Sequence, residues 1–295
     1  MQYAKRFLFF ILTNIAIMVV IGIIFSILRI FFPSLESTSY TGMFISSMVI
    51  GFAGAFISLW ISRWMAKKAY SIQLLDSQSA AGDPKLSLVY NTVERIAREN
   101  NITMPEVGYY QSEDPNAFAT GATKNSSLVA VSTGLLEHMD NDQIEGVVGH
   151  EMAHILNGDM VTLTLIQGVV NTFVIFFAKL AARAVQNFLD EEMGFLAYNL
   201  VYILFQILFG ILASFVVMYF SRIREYRADL GGAKYTSKAK MISGLKKLQS
   251  MQELAKTQKN SRMTAFMITE PDSMFSTHPK LENRIKALEE NYALS

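Results

Sequence analysis

Four stretches of this chain contain no Asp, Glu, Lys or Arg: residues 7–28, 37–62, 160–178 and 193–221. A helix needs about 20 apolar residues to cross a hydrocarbon core, so the pattern predicts four transmembrane helices in two hairpins. Between and after them the pattern changes. Asp83-Pro84 reads as an N-cap followed by proline at the first helical position, and Leu86, Val89, Val93 and Ile96 then recur at helical spacing to about Asn100. Residues 107–110, 116–120 and 128–132 are short strand-like runs separated by Gly, Asn, Asp and Pro, which predicts a small meander. Asp142-Gln143-Ile144-Glu145 has capping-box spacing and is expected to open a helix. Past residue 221 a helix should run on through Glu225 to about Leu230. Another should cover about 237–254, and His278-Pro279 should open a last one to about Glu290. Residues 258–277 carry few helix signals and are expected to form a loop.

The polar material thus falls into two pieces, 63–159 and 222–295, each small but together large enough for one core. The expected organisation is a hairpin at 1–62, a first polar segment at 63–159, a second hairpin at 160–221 and a second polar segment at 222–295. The fold class is an α+β membrane protein: about four transmembrane helices plus a mainly helical domain with a small β-sheet. Composition agrees, since 51% of the 295 residues are hydrophobic and 17% are charged, a low share for a soluble domain.

Charge then sets the orientation. Lys5 and Arg6 precede the first span, Arg63, Lys67 and Lys68 follow the second, and Arg222, Arg224 and Arg227 follow the fourth. The opposite flanks hold Arg29, Lys179 and Arg183, with Asp190, Glu191 and Glu192 nearby. The positive-inside rule places both termini and the polar segments in the cytoplasm. Ser26-Ile27-Leu28-Arg29 lacks the small residues of a cleavage site, so the first span reads as a signal anchor. A net charge of +1 gives no electrostatic case for nucleic acid, and the absence of cysteine removes disulfides and thiolate ligands.

The candidate chemistry lies in His150-Glu151-Met152-Ala153-His154. Residues four apart share one helix face, so both imidazoles can reach one metal ion, and Glu151 can act as a base toward water there. A catalytic zinc takes three protein ligands, and the best candidate for the third is Glu225. Asp229, one turn further on, can accept a hydrogen bond from an imidazole N–H. The bland alternative for 221–229 is a charged face with snorkelling arginines. Topology favours the metal site, because the two spans between His154 and Glu225 return the chain to the same side. Residue 160 begins a span six residues after His154, about 9 Å of helix, and Glu225 lies about 6 Å beyond residue 221.

At these residues the chain resembles the HtpX-type membrane zinc metalloproteases, heat-shock quality-control enzymes related to the CAAX prenyl proteases. The resemblance covers most of the chain. It rests on the paired N-terminal spans, Asn116-Ala117-Phe118-Ala119, the His150–His154 motif with Asn157-Gly158-Asp159, residues 221–229, and Thr277-His278-Pro279. It implies a gluzincin-type catalytic domain holding one zinc per chain through His150, His154 and Glu225, with Glu151 as catalytic base. It also implies an edge strand with Asn116, Ala117 and Phe118 that aligns substrate by β-augmentation. The residues alone also allow Asn116 to be a turn residue after Pro115. The implied enzyme is a zinc endopeptidase of the inner membrane, acting on the cytoplasmic side upon misfolded or damaged membrane proteins or other unfolded polypeptides. CAAX proteases usually have more spans, so that branch fits less well.

The oxyanion donor stays open among His278, Arg224, Tyr226 and Arg227, with His278 equally readable as an N-cap-like surface residue before Pro279. Asp159 is either a partner of a ligand or a helix-terminal residue, and His138 reads as a surface residue at a helix end. Trp60 and Trp64 read as interfacial anchors. The rival function is a transport or scaffold protein with a metal site. The four spans contain no ionisable residue to mark an ion path, and their Asn and Gln side chains suit helix–helix bonding. Oligomeric state is not legible in the sequence.

Overall fold

The computed structural model describes residues 39–188, 191–257 and 278–291. The expected span at 7–28 and the expected loop at 258–277 lie outside the described residues.

The elements in chain order are α1 (Tyr40–Ala69), β1 (Gln73–Leu75), α2 (Ser77–Ala80), α3 (Pro84–Glu99), β2 (Glu106–Tyr110), β3 (Ala117–Thr123) and β4 (Ser126–Ser132). They continue with α4 (Thr133–His138), α5 (Asn141–Asn157), α6 (Asp159–Gln186), α7 (Glu191–Tyr235), α8 (Lys238–Thr257) and α9 (Leu281–Asn291). Among the described residues, α1, α6 and α7 from Leu196 onward are long and apolar enough to cross a membrane.

The chain divides into two compact units. Described residues 39–58, 164–188 and 191–217 form the first. Its interior is mostly small or polar residues, Gly42, Ser46, Ser47, Gly51, Ala55, Thr172, Ala178 and Ala182 among them, with Met43 and Ile175 as larger buried side chains. Most of its large apolar side chains point outward, as with Leu200, Ile203, Leu204, Ile207 and Ile211. Small residues let helix backbones approach closely where lipid removes the hydrophobic drive for large ones to pack inside. Ser47 returns its hydroxyl to Met43 O at 2.7 Å, so a buried hydroxyl is satisfied within its own helix.

Described residues 59–163, 218–257 and 278–291 form the second unit. Its core joins Val89, Val93 and Ile96 of α3, Ile144, Val148 and Met152 of α5, Met241 and Leu245 of α8, and Leu281, Ile285 and Leu288 of α9. Val107, Ala117, Val129 and Val131 complete it from one face of the sheet.

That sheet is not the expected meander. It has four strands in the order β1-β2-β4-β3, with β2 and β4 parallel. The cause is burial: every residue of β4 from Ser127 to Ser132 is buried, and its Leu-Val-Ala-Val run needs neighbours on both sides. It therefore sits between β2 and β3, and β3 is left as an edge. The motif helix also starts earlier than its Asp142–Glu145 spacing implies. Asp140 caps it, accepting from Gln143 N at 2.9 Å, while the Gln143 side chain accepts from Asp140 N at 3.1 Å. Met139 before the cap and Ile144 in the first turn are both in the core, the arrangement of a hydrophobic staple.

Candidate metal centre

His150 and His154 lie one turn apart on α5, and both side chains are buried. Each imidazole is held through Nδ1 by a carboxylate. His150 Nδ1 is 3.0 Å from Asp229 Oδ1, and His154 Nδ1 is 2.7 Å from Asp159 Oδ2. With Nδ1 as the donor on each ring, the Nε2 lone pairs are left to face inward. They meet at 3.1 Å.

Glu225 closes the cluster from α7. His150 Nε2 is 3.4 Å from its Oε2, and His154 Nε2 is 3.4 Å from its Oε1. The residue is fully buried, and among the described residues neither carboxylate oxygen forms a hydrogen bond. His278 Nδ1 lies 2.9 Å from Oε2, an ion-pair approach outside hydrogen-bonding geometry. Two imidazole lone pairs and a carboxylate therefore converge on one point, with Arg284 Nη2 a long 3.5 Å from His150 Nε2. Arg284, with Nη1 3.5 Å from Glu225 Oε2, supplies part of the counter-charge, and a cation held between the three groups would supply the rest. Tetrahedral ligands about 2.0–2.1 Å from zinc stand roughly 3.3 Å from one another, close to the spacing found here. His150, His154 and Glu225 form the one group among the described residues that could hold a metal ion.

Local sequence explains the convergence. Gly158 ends α5 with a left-handed backbone, φ 71°, which turns the chain so that Asp159, the first residue of α6, reaches back to His154. Where α7 passes α5, a side chain would not fit. A Cβ on Gly231 would lie 2.5 Å from the Ala153 Cβ, and one on Gly232 would lie 3.0 Å from His150 N. The helices thus touch one turn beyond Asp229, which carries Glu225 and Asp229 onto the histidines.

Arg284 is a functional residue missed in reading the sequence. It is 2% exposed, and its guanidinium grips Asp229 with two bonds, Nε to Oδ2 at 2.8 Å and Nη2 to Oδ1 at 2.6 Å. Its Nη1 is 3.5 Å from Glu225 Oε2. The available signal was its register, because Arg284 interrupts the Leu281, Ile285, Leu288 stripe of α9. Burial opposes its charge, and Asp229 more than offsets that. Burial alone would also lower the pKa of His150, but the carboxylates of Asp229 and Glu225 outweigh it and carry it up to about 9. His154 is raised in the same way, with Asp159 and Glu225 overcoming burial.

Of the remaining predicted residues, Glu151 sits beside His150 with 8% exposure, and its charge acts on Tyr110 and Arg284. Arg227 is exposed and takes part in none of the cluster's ion pairs, because its position on α7 faces away from the side shared by Glu225 and Asp229. Arg224 comes no nearer than 3.9 Å to Glu225. Asn116 immediately precedes the edge strand, and Ala117 and Phe118 begin it. Asn116 accepts from Ser132 N at 2.8 Å and donates its own N–H to Ser132 Oγ, so its backbone is spent inward. Alternation along an antiparallel pair then directs the N–H and C=O groups of Ala117 and Ala119 outward. Ala117 is buried, whereas residues 118–120 are partly exposed, so the accessible stretch of the edge centres on Ala119.

Comparison with known proteins gives a consistent picture. Residues 87–292 match peptidase family M48. The chain is 47% identical to Protease HtpX of Tolumonas auensis, over 97% of this chain and 99% of that protein. It is 46% identical to Protease HtpX of Idiomarina loihiensis and 45% identical to a Protease HtpX homolog of Bacillus licheniformis, each over 97% of this chain and 99% of the relative. In fold it is similar to the crystal structure of S. mikatae Ste24p, with a TM-score of 0.59 at 18% identity. That match covers 94% of this chain and 65% of Ste24p, so the chain spans just under two thirds of that structure.

Proposed function

We propose, for a chain that belongs to peptidase family M48 and is an HtpX-type membrane metalloprotease, that its metal is zinc and that it cuts unfolded or damaged membrane proteins internally. The observation that carries this reading is the convergence of His150, His154 and the unbonded Glu225 carboxylate on one point. Zinc held there supplies a Lewis acid that acidifies water and polarises a peptide carbonyl. Glu151 takes the proton of the attacking water and passes it to the leaving amine. Asp229 and Asp159 hold the imidazoles in the tautomer that presents Nε2, and Arg284 fixes Asp229. Nearness to Glu225 and partial exposure support His278 as the donor toward the developing oxyanion. The β3 edge aligns an extended substrate by backbone pairing, chiefly at Ala119.

The two polar segments, 63–159 and 222–295, make one catalytic domain, with the hairpins at 1–62 and 160–221 as its membrane anchor. The excess of Lys and Arg after the second and fourth spans supports a domain on the cytoplasmic side, with the inner membrane as its host. Substrates are then cut in cytoplasmic loops or tails.

The test uses purified full-length protein in detergent or nanodiscs, with an unfolded protein and a membrane protein as substrates. Cleavage is expected to stop with a chelator and return on adding zinc. Chelator-insensitive cleavage, or none by zinc-loaded protein, would overturn the reading.

A further inference from the structure

The sheet face opposite the core carries a group of aromatic rings that the metal chemistry leaves unused. Strand register puts Gly108 and Tyr110 of β2, Ala130 of β4 and Phe118 of β3 on that face, since Val107, Val129 and Ala117 point into the core. Tyr110 and Phe118 are 5.8 Å apart between ring centroids, with small Gly108 and Ala130 near them in the sheet. Tyr70 lies against both rings, 5.0 Å from Tyr110 and 5.3 Å from Phe118. It follows the last residue of α1 and is 49% exposed, so the cluster ends in a ring open to solvent. Ser71, with φ 50°, turns the chain just after it, and Ile72 closes over Gly108, where a Cβ would meet it at 2.5 Å.

A second observation points from this cluster toward the cleavage site. Tyr110 is 3% exposed, and its hydroxyl forms no well-aligned hydrogen bond among the described residues, with the Asn116 side chain as its weak partner. It stands near the Asn116 side chain and feels the charges of Glu151 and Asp114. A buried phenol so weakly partnered is costly, and phenylalanine would remove that cost at almost no change in shape. A hydroxyl in this position suits a site where it is used when an extended chain lies along β3.

A strand added outside β3 places alternate side chains on the same face as Phe118, within cross-strand packing distance. Building on the endopeptidase reading above, we infer that Tyr70, Tyr110 and Phe118 form a side-chain subsite selecting an aromatic or large branched apolar residue at the substrate position beside Phe118. The occupant is an unfolded segment rich in such residues, as an apolar membrane-protein segment is. Tyr70 supplies the outer wall, and the Tyr110 hydroxyl supplies a polar contact at the end acted on by Glu151.

The experiment is cleavage profiling of a peptide library by zinc-loaded full-length protein, comparing wild type with Tyr70→Ala, Tyr70→Leu, Phe118→Ala and Tyr110→Phe. Tyr109→Phe, on the opposite sheet face, is the control. Wild type and the control should prefer an aromatic or branched residue over alanine at one fixed position. Both Tyr70→Ala and Phe118→Ala should cut that ratio roughly three- to tenfold, a size typical of aromatic pair contacts. Tyr70→Leu should keep part of it, and Tyr110→Phe should lower kcat/KM while raising or preserving the melting temperature. A flat wild-type profile, or an unchanged ratio in zinc-loaded Tyr70→Leu and Phe118→Ala, would overturn the subsite alone. Absence of chelator-sensitive cleavage in every variant, wild type included, would overturn the endopeptidase reading and the subsite with it.

Discussion

The two units of this chain solve burial in opposite ways. In the first, Gly51, Ser47 and Ala178 are inside while Leu204 and Ile207 are outside. In the second, Val148, Met152 and Leu245 are inside, and the same interior holds His150, His154, Asp159, Glu225, Asp229 and Arg284. A membrane-type unit has no water to drive large apolar groups inward, so it packs small residues and satisfies hydroxyls locally. A water-facing unit can bury large side chains, and the surplus stability of that core can support a cluster of buried charge. The difference teaches where the function lies: the buried charges of the second unit are gathered around one point.

The contrast breaks most sharply at Glu225. Glu225→Ala should reduce bound zinc from one per chain to nearly none and abolish cleavage, as measured by metal analysis and a protease assay. Full zinc content in that variant would remove Glu225 from the ligand set. Next in size is Arg284→Ala, which strips Asp229 of its guanidinium and leaves this buried carboxylate with His150 alone. Truncating one partner of such a pair costs about 3–5 kcal/mol, so a large fall in thermal midpoint is expected, and an unchanged midpoint would show the pair to be dispensable.

A matched pair of leucines sharpens the comparison between units. Leu245→Ala removes a buried side chain of the second core and should cost about 2–5 kcal/mol. Leu208→Ala, on the outward face of α7, should leave the midpoint in detergent within experimental scatter. Equal losses would contradict the inside-out assignment.

The smallest effect is a pH slope of the metal-free protein. The His150 pKa is raised from the ordinary 6.5 to about 9. Its contribution to stability is therefore complete below about pH 6.5 and lost as pH climbs toward 9. Zinc needs the same nitrogen without its proton, so zinc affinity should rise across that window and then level off. Melting curves and zinc titrations at several pH values check both, and a flat response between pH 6.5 and 9 would contradict the proposed contacts.

How much of this was legible in the sequence depended on how local each relation is. His150 and His154 could be paired because helical spacing alone puts them on one face. Glu225 needed one more step, that two spans return the chain to the same side. Asp159 was ambiguous because Asn157-Gly158 ends the helix, and only the left-handed turn at Gly158 shows how it reaches back to His154. Arg284 was hidden, since an arginine in a polar C-terminal helix reads as surface until α9 is seen to bury its stripe. Strand identity followed from composition at β2, β3 and β4. Strand order did not, because the parallel pairing of β2 with β4 is a non-local choice made by burial.

The most direct measurement of the central claim is a paired assay on Glu151→Gln, purified as the full-length protein. The account predicts one bound zinc per chain, a thermal midpoint close to wild type and no detectable cleavage of an unfolded substrate, because only the proton carrier has been removed. Cleavage at the wild-type rate by zinc-loaded Glu151→Gln would contradict it.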